Sequence, residues 1–201
     1  MTLHCPAPQS LADPVGHLRI ALPQHPLQVL DPAGRRPAAV LVLIYPKGGE
    51  HVVLLTKRTS HLEHHRGEVS LPGGAFHAAE DPHLLHTALR ETHEEVGVAP
   101  HGIEIHGQLD DQMPRSGFVI SPYVGSLPDA PALIPSVDEV AEVLEVPLRT
   151  LVGPGALHHE PRPYEGRLID SFYYLHNDHV IWGATARILR QFAGLFQAEL
   201  R

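Results

Sequence analysis

The stretch "GGAFHAAEDPHLLHTALRETHEEVGV", residues 73–98, decides how this chain is read. A glycine pair opens it and a helix signal follows. Asp81 is a capping residue type, and Pro82 suits a first helical position, where no intrahelical N–H is lost. Leu84, Leu85, Ala88, Leu89, Thr92 and Val96 recur at helical spacing, and Gly97 supplies the left-handed residue that ends helices. The pattern predicts a helix over 82–96. Glu91, Glu94 and Glu95 then span an arc of roughly 100°. That arc lies opposite Leu84, Leu85, Ala88 and Leu89, so the apolar side is expected to pack inward and the acids to stand together outside. Like charges at these spacings cost about 0.2–0.5 kcal/mol per pair. They form either a solvated acidic face or a patch for a hard divalent cation, which takes oxygen ligands and offsets their repulsion. The Gly73-Gly74 turn, which lets backbone approach a ligand, and Glu80 in the following loop favour the second reading.

Upstream, "AAVLVLIY" (38–45) is a continuous apolar run that reads as a buried strand. The turn "PKGGE" joins it to "HVVLLTKR" (51–58) as a hairpin, and "EVSLPGG" (68–74) reads as one short strand ending in a breaker. Downstream, strands are expected at 103–109, 118–127 and 139–148, with a hairpin from "DSFYYLH" (170–176) and "HVIWG" (179–183). A closing helix from Ala184 lines up Ile188, Leu189, Phe192, Leu195, Phe196 and Leu200 on one face, which serves either the core or a homodimer. Mixed strands with two or three helices give an α+β domain. The Pro-rich residues 1–35 read as an N-terminal arm, and 36–201 as the folded domain.

The chain has 201 residues and a formal charge of −8. That field repels a nucleic-acid backbone, and the basic concentration "KRTSHLEHHR" (57–66) suits a small phosphorylated ligand instead. No apolar run reaches membrane-spanning length, and the first residues lack the pattern of a secretory signal. Cys5 is the only cysteine, which fits a reducing cytoplasm. The 17 histidines are read as mostly solvated, since His64-His65 and His158-His159 lack the spacing of a zinc pair. Trp182 is read as packing rather than as a base-stacking platform.

With these residues in view, the chain resembles the Nudix hydrolases. Their signature runs Gly, five residues, Glu, seven residues, then Arg-Glu-apolar-any-Glu-Glu-any-Gly-apolar. Gly74 and Glu80 fit its first part and "RETHEEVGV" (90–98) its second, with Thr92 in the apolar slot. Nine residues rather than seven separate Glu80 from Arg90, which leaves open what Glu80 does. The stretches 54–74, 109–125, 138–148 and 181–189 are similar to the coenzyme A pyrophosphatase branch. Three positions depart from that branch: Thr59 where Ser or Ala is usual, Glu63 where Arg is usual, and Leu71 where Phe is usual.

The resemblance implies an α/β/α sandwich around a central mixed sheet. It implies a Mg²⁺- or Mn²⁺-dependent hydrolase with Glu91, Glu94 and Glu95, and the Gly74 carbonyl, as metal ligands. Arg90 is expected to orient a glutamate by a charge-assisted hydrogen bond, and Glu139 is the candidate base or extra ligand from outside the signature. Arg58, His65, Arg66, Gly73, Gly74 and Arg115 are candidate contacts to a small nucleoside diphosphate substrate. Coenzyme A is the expected substrate, cut into 3′,5′-ADP and 4′-phosphopantetheine. Two rivals stay open: the same chemistry on ADP-ribose or a dinucleotide, and a non-enzymatic binding module on the same fold.

Overall fold

The computed structural model describes residues 9–59, 67–164 and 166–197. Two helices, α1 (Gln9–Ala12) and α2 (Pro14–Gln24), come first. Asp13 caps α2 by accepting a hydrogen bond from the Gly16 N–H at 2.9 Å, and Pro14 opens the helix. Leu18 and Leu22 enter the larger core, so part of the segment read as an arm packs onto the body.

β1 (Arg36–Lys47) and β2 (Glu50–Arg58) form an antiparallel hairpin. Its turn holds Gly48 and Gly49 at φ of 61° and 86°, a pair of left-handed positions that only glycine takes without strain. Leu41 to Tyr45 are buried on both faces, the physical reason for a run without alternation. β3 (Val69–Ser70) and β4 (Gly73–Ala75) follow. They replace the single strand expected over 68–74: β3 pairs with β2 while β4 pairs with β1, so the chain changes neighbour at Leu71-Pro72. Next come α3 (Leu84–Val96), a single 3₁₀ turn (Pro100–Gly102), β5 (Glu104–Gln108), β6 (Phe118–Ser126), β7 (Val140–Pro147) and α4 (Leu148–Val152). The chain then forms β8 (His158–Tyr164), β9 (Arg167–His176), β10 (His179–Trp182) and α5 (Gly183–Gln197).

Among the described residues, β1 to β7 form one mixed sheet. β1 runs parallel to β6 and antiparallel to β2 and β4. β8, β9 and β10 form a second, antiparallel sheet. Alternate residues of β1 and β2 point to opposite faces and seed two cores. Ala39, Leu41, Leu43, Val52 and Leu54 pack with Ala88 and Val96 of α3. Val42, Ile44, Val53 and Leu55 pack with Leu18 of α2, Leu151 of α4 and Ile188, Leu189, Phe192 and Phe196 of α5. The result is the expected sandwich with a central mixed sheet.

The apolar face of α5 is used up in the second of these cores and is not available to a dimer. Trp182 differs from expectation. Ile181 points into the core, so its neighbours Val180 and Trp182 face outward, and Trp182 is about half exposed.

Candidate active site

The site elements line one end of the large sheet. Val140 of β7 pairs with Arg58 of β2, and Gly74 of β4 pairs with Ala39 of β1. Ala38 pairs with Ile120 of β6, which bridges to Gln112. α3 crosses the same end on the face that holds Ala39 and Leu41.

α3 begins at Leu84, not at Pro82, and its cap is His83, whose ring accepts from the His86 N–H at 3.1 Å. Asp81 is engaged elsewhere. Its buried carboxylate accepts from the His77 N–H (3.0 Å), Thr87 Oγ1 (2.9 Å), and Nε and Nη2 of Arg90 (3.0 and 3.1 Å), with His86 Nδ1 at 2.9 Å. The Arg90 guanidinium, then the His86, His77 and Thr87 donors, hold this carboxyl well below the usual range against the opposing effect of burial. Arg90 also reaches Glu91 Oε1 and Glu94 Oε2, both at 2.9 Å. One guanidinium therefore ties the loop before α3 to two of its glutamates. Glu80 stands off: its side chain is 59% exposed and its nearest ionic neighbour is His77, at 3.6 Å. With the spacing two residues longer than the generic signature, Asp81 and not Glu80 meets Arg90.

The three glutamates of α3 do not stand together in solvent. Glu94 is 53% exposed, the Glu91 side chain 15%, and Glu95 only 2%. Burial pushes the Glu95 carboxyl up to about 8, helped by the charges of Glu139 and Glu91; Arg58 and Thr56 oppose it. Those two are distant partners, with Arg58 Nη1 at 3.9 Å and Thr56 Oγ1 donating over 3.4 Å. Glu91 is raised too, first by burial and then by Glu94 and Glu139, against Arg90. Glu139 is thus close enough to act on both. Thr59 fixes it in place: the Thr59 N–H donates to the Glu139 carbonyl and Thr59 Oγ1 to the Asp138 carbonyl, each at 3.0 Å. The Ser136 N–H donates to the Glu95 carbonyl at 2.9 Å, which hangs the 136–139 loop from the end of α3.

The two glycines serve different purposes. A Cβ on Gly73 would lie 2.3 Å from the Ala39 carbonyl oxygen, so its bareness permits strand pairing. A Cβ on Gly74 would lie 2.4 Å from the Glu91 carboxyl carbon, so its bareness makes room for that carboxylate. Arg115 lies farther along the same sheet end, in the exposed loop after Gln112. His65 and Arg66, with His61, Glu63 and His64, fall outside the described residues.

A divalent cation fits this chemistry. Glu95 is a buried carboxylate whose ionisation is opposed by two further carboxylates, an arrangement that a cation relieves and that two distant neutral and basic partners do not. Among the described residues no three acidic or histidine side chains close around a common point; Arg90 draws Glu91 and Glu94 to itself. Spacing alone missed Asp81 as the partner of Arg90, and Thr56 and Thr59 as supports of Glu95 and Glu139.

Comparison with known proteins agrees with this geometry. Residues 35–165 match the model of the NUDIX domain. A protein of Photorhabdus laumondii named uncharacterized Nudix hydrolase NudL is 35% identical over 184 residues, covering 92% of this chain and 96% of its own. A NudL of Enterobacter sp. is 37% identical over 166 residues, covering 81% and 84%. Among solved structures, the MutT/nudix family protein from Enterococcus faecalis shares the fold, with a TM-score of 0.54 at 21% identity, covering 88% of this chain and 71% of the other. A signature helix bearing its glutamates, the matching domain and relatives alike over nearly their whole length together place this chain in the Nudix hydrolase family, enzymes that cleave phosphoanhydrides.

Proposed function

We propose that this hydrolase cleaves the diphosphate of coenzyme A or its derivatives, releasing 3′,5′-ADP and 4′-phosphopantetheine. The observation that carries the hydrolytic centre is the buried Glu95 facing Glu91 and Glu139 beside the Gly74 opening. The substrate reading rests on "LLTKRTSHLEHHRGEVSLPGG" (54–74), similar to the coenzyme A branch, and this stretch leads into that opening.

Glu91, Glu94 and Glu95, with the Gly74 carbonyl, would hold Mg²⁺ or Mn²⁺. When bound, such an ion polarises phosphoryl oxygens and lowers the pKa of a water nearby. The rest falls to the chain. Arg90, locked by Asp81, fixes the rotamers of Glu91 and Glu94, so that the order of the site is set before substrate arrives. Glu139, held by Thr59, stands at the mouth and accepts the proton of the attacking water. Arg58 lies beside Glu95 and supplies positive charge to the diphosphate, as do Arg66 and His65 from outside the described residues. The reaction takes place on a small nucleotide substrate, and we assign it to the cytoplasm, without nucleic acid or membrane as partner; among the described residues no helix is long and apolar enough to cross a membrane.

The test is turnover with Mg²⁺ or Mn²⁺ on coenzyme A, 3′-dephospho-coenzyme A, ADP-ribose and a dinucleoside polyphosphate. The largest specificity constant is expected for a coenzyme A species. Cleavage of ADP-ribose with neither coenzyme A species touched overturns the substrate and leaves the reaction.

A further inference from the structure

The two faces of β10 do different things. Ile181 is fully buried in the larger core, while Val180 and Trp182 on either side of it stay about half exposed. Trp182 is the only tryptophan of the chain. Pairing with β9 sets Trp182 opposite Tyr173 and Val180 opposite Leu175, so these four side chains share the outward face. On β8, His158 pairs with Tyr173, and the two rings stack with centroids 5.0 Å apart and planes at 13°. Tyr173 is thus held from one side. Among the described residues no ring or cation packs against Trp182.

A hollow of about 290 Å³ opens on this face, lined by Ser171, Tyr173, Val180 and Trp182. Its walls are two aromatic rings, one aliphatic side chain and one hydroxyl. None of the four carries a charge, so the lining does not suit a phosphate. It suits a flat ring with a polar edge: the aromatic faces supply stacking, and the Ser171 hydroxyl can hydrogen-bond the edge. A nucleotide offers one such group, its base.

β10 crosses the end of the molecule that holds the carboxylates. At its start, His179 Nε2 lies 3.3 Å from Glu142 Oε1 of β7, two residues beyond Val140, the partner of Arg58. In its middle it packs against β3, whose Ser70 pairs with Thr56; Thr56 Oγ1 is 3.4 Å from both Ser70 Oγ and Glu95 Oε2. At its finish, Trp182 leads straight into α5, where Arg187 Nε donates to Gln112 Oε1 at 3.3 Å, and Gln112 bridges to Ile120. We propose that Trp182, with Tyr173, Val180 and Ser171, is a stacking platform for the base of the nucleotide substrate, beside the diphosphate that is cleaved. This rests on the reading of the substrate as an adenine nucleotide, and it holds alike for coenzyme A and ADP-ribose, since both carry that base.

The test uses Trp182 as its own reporter, since no other tryptophan emits. Indole fluorescence of the full chain is followed as AMP or ribose 5-phosphate is added; the two ligands differ only in the base. AMP is expected to quench the emission saturably, and ribose 5-phosphate to leave it unchanged. In calorimetric titration, Trp182→Ala should bind AMP about tenfold more weakly, while Trp182→Phe, which keeps a ring, should stay within about threefold of the wild type. Circular dichroism of Trp182→Ala should match the wild type, because the side chain is half exposed. Absence of quenching by AMP, equal quenching by the two ligands, or a Trp182→Ala chain that binds AMP as tightly as the wild type overturns the platform. A wild-type dimer that becomes a monomer in Trp182→Ala, with AMP affinity unchanged, gives the face to a second copy and overturns it too. If ADP-ribose is hydrolysed and coenzyme A is not, with quenching and weakened binding as expected, the platform stands and the coenzyme A reading falls. If Trp182→Ala hydrolyses coenzyme A with the wild-type KM, the platform falls and the coenzyme A reading stands.

Discussion

Replacing Asp81 by Asn isolates the contact that orders this site. The carboxylate is buried, takes two hydrogen bonds from Arg90 and one each from Thr87 and the His77 amide, and has His86 beside it. Asn keeps the shape and part of the hydrogen bonding but removes the charge that balances Arg90. Removing one partner of a buried pair costs about 3–5 kcal/mol, and the retained shape argues for about 3 kcal/mol. For a chain of this size that is a fall in Tm of about 6–12 °C. The pH dependence carries the same signature. Asp81 has a depressed pKa in the folded state, so its contribution is fully present above the ordinary carboxylate range and is lost as pH falls below it. Asp81→Asn should therefore flatten the loss of stability in acid. The assay is thermal unfolding by circular dichroism from pH 3 to pH 8 (~one-unit steps), for wild type, Asp81→Asn and Glu80→Gln. Glu80 is exposed, and its substitution should stay within about 0.5 kcal/mol. If Glu80→Gln costs as much as Asp81→Asn, the assignment of Arg90's partner is wrong.

Three further outcomes follow from the geometry. Glu94→Gln and Glu95→Gln should each lower turnover by orders of magnitude with the fold intact, read by steady-state kinetics beside circular dichroism; near-normal activity in either removes that residue from the metal ligands. Because the Glu95 pKa is raised, to about 8, the unfolded chain releases this proton at lower pH than the folded chain. Without divalent cation, stability should thus fall by a few kcal/mol as pH rises from about 4.5 to about 8, and Glu95→Gln should remove the slope; a metal-free stability that rises over that window contradicts the burial argument. Gly74→Ala and Gly73→Ala should separate: the first meets the side-chain carboxyl of Glu91 and should cost activity about a hundredfold with little stability, the second meets the β1 backbone and should cost about 2 kcal/mol or more, and equal losses of stability would refute the distinction.

Much of this molecule was legible in the chain. Apolar runs such as Leu41 to Tyr45 mark strands buried on two faces, and the 3.6-residue recurrence around Ala88 marks α3, because both patterns follow directly from what must leave water. The end of α3 was legible too, since Gly97 takes φ of 76°. The start of the helix was not. Asp81 suits both a cap and a buried ion pair, and only the tertiary position of Arg90 chooses between them. The depth of Glu95 was hidden for a related reason. Helical angle places the glutamates relative to one another, but Thr56 and Arg58 of β2 and Glu139 of the loop before β7 determine which of them is enclosed. The segment "HHEPRPY" hid β8, as two prolines and no alternation conceal a strand that is held by pairing with β9. Residues 60–66, which carry the departures at Glu63 and the candidates His65 and Arg66, fall outside the described residues.

The most direct measurement is chromatographic identification of the products formed from coenzyme A with Mg²⁺ by the wild type and by Glu95→Gln, sampled over one time course. The wild type is expected to form 3′,5′-ADP and 4′-phosphopantetheine in equal amounts, and Glu95→Gln to form them at least about a thousandfold more slowly. Release of inorganic phosphate with the diphosphate left whole, or a Glu95→Gln variant that forms both products at the wild-type rate, would contradict the account.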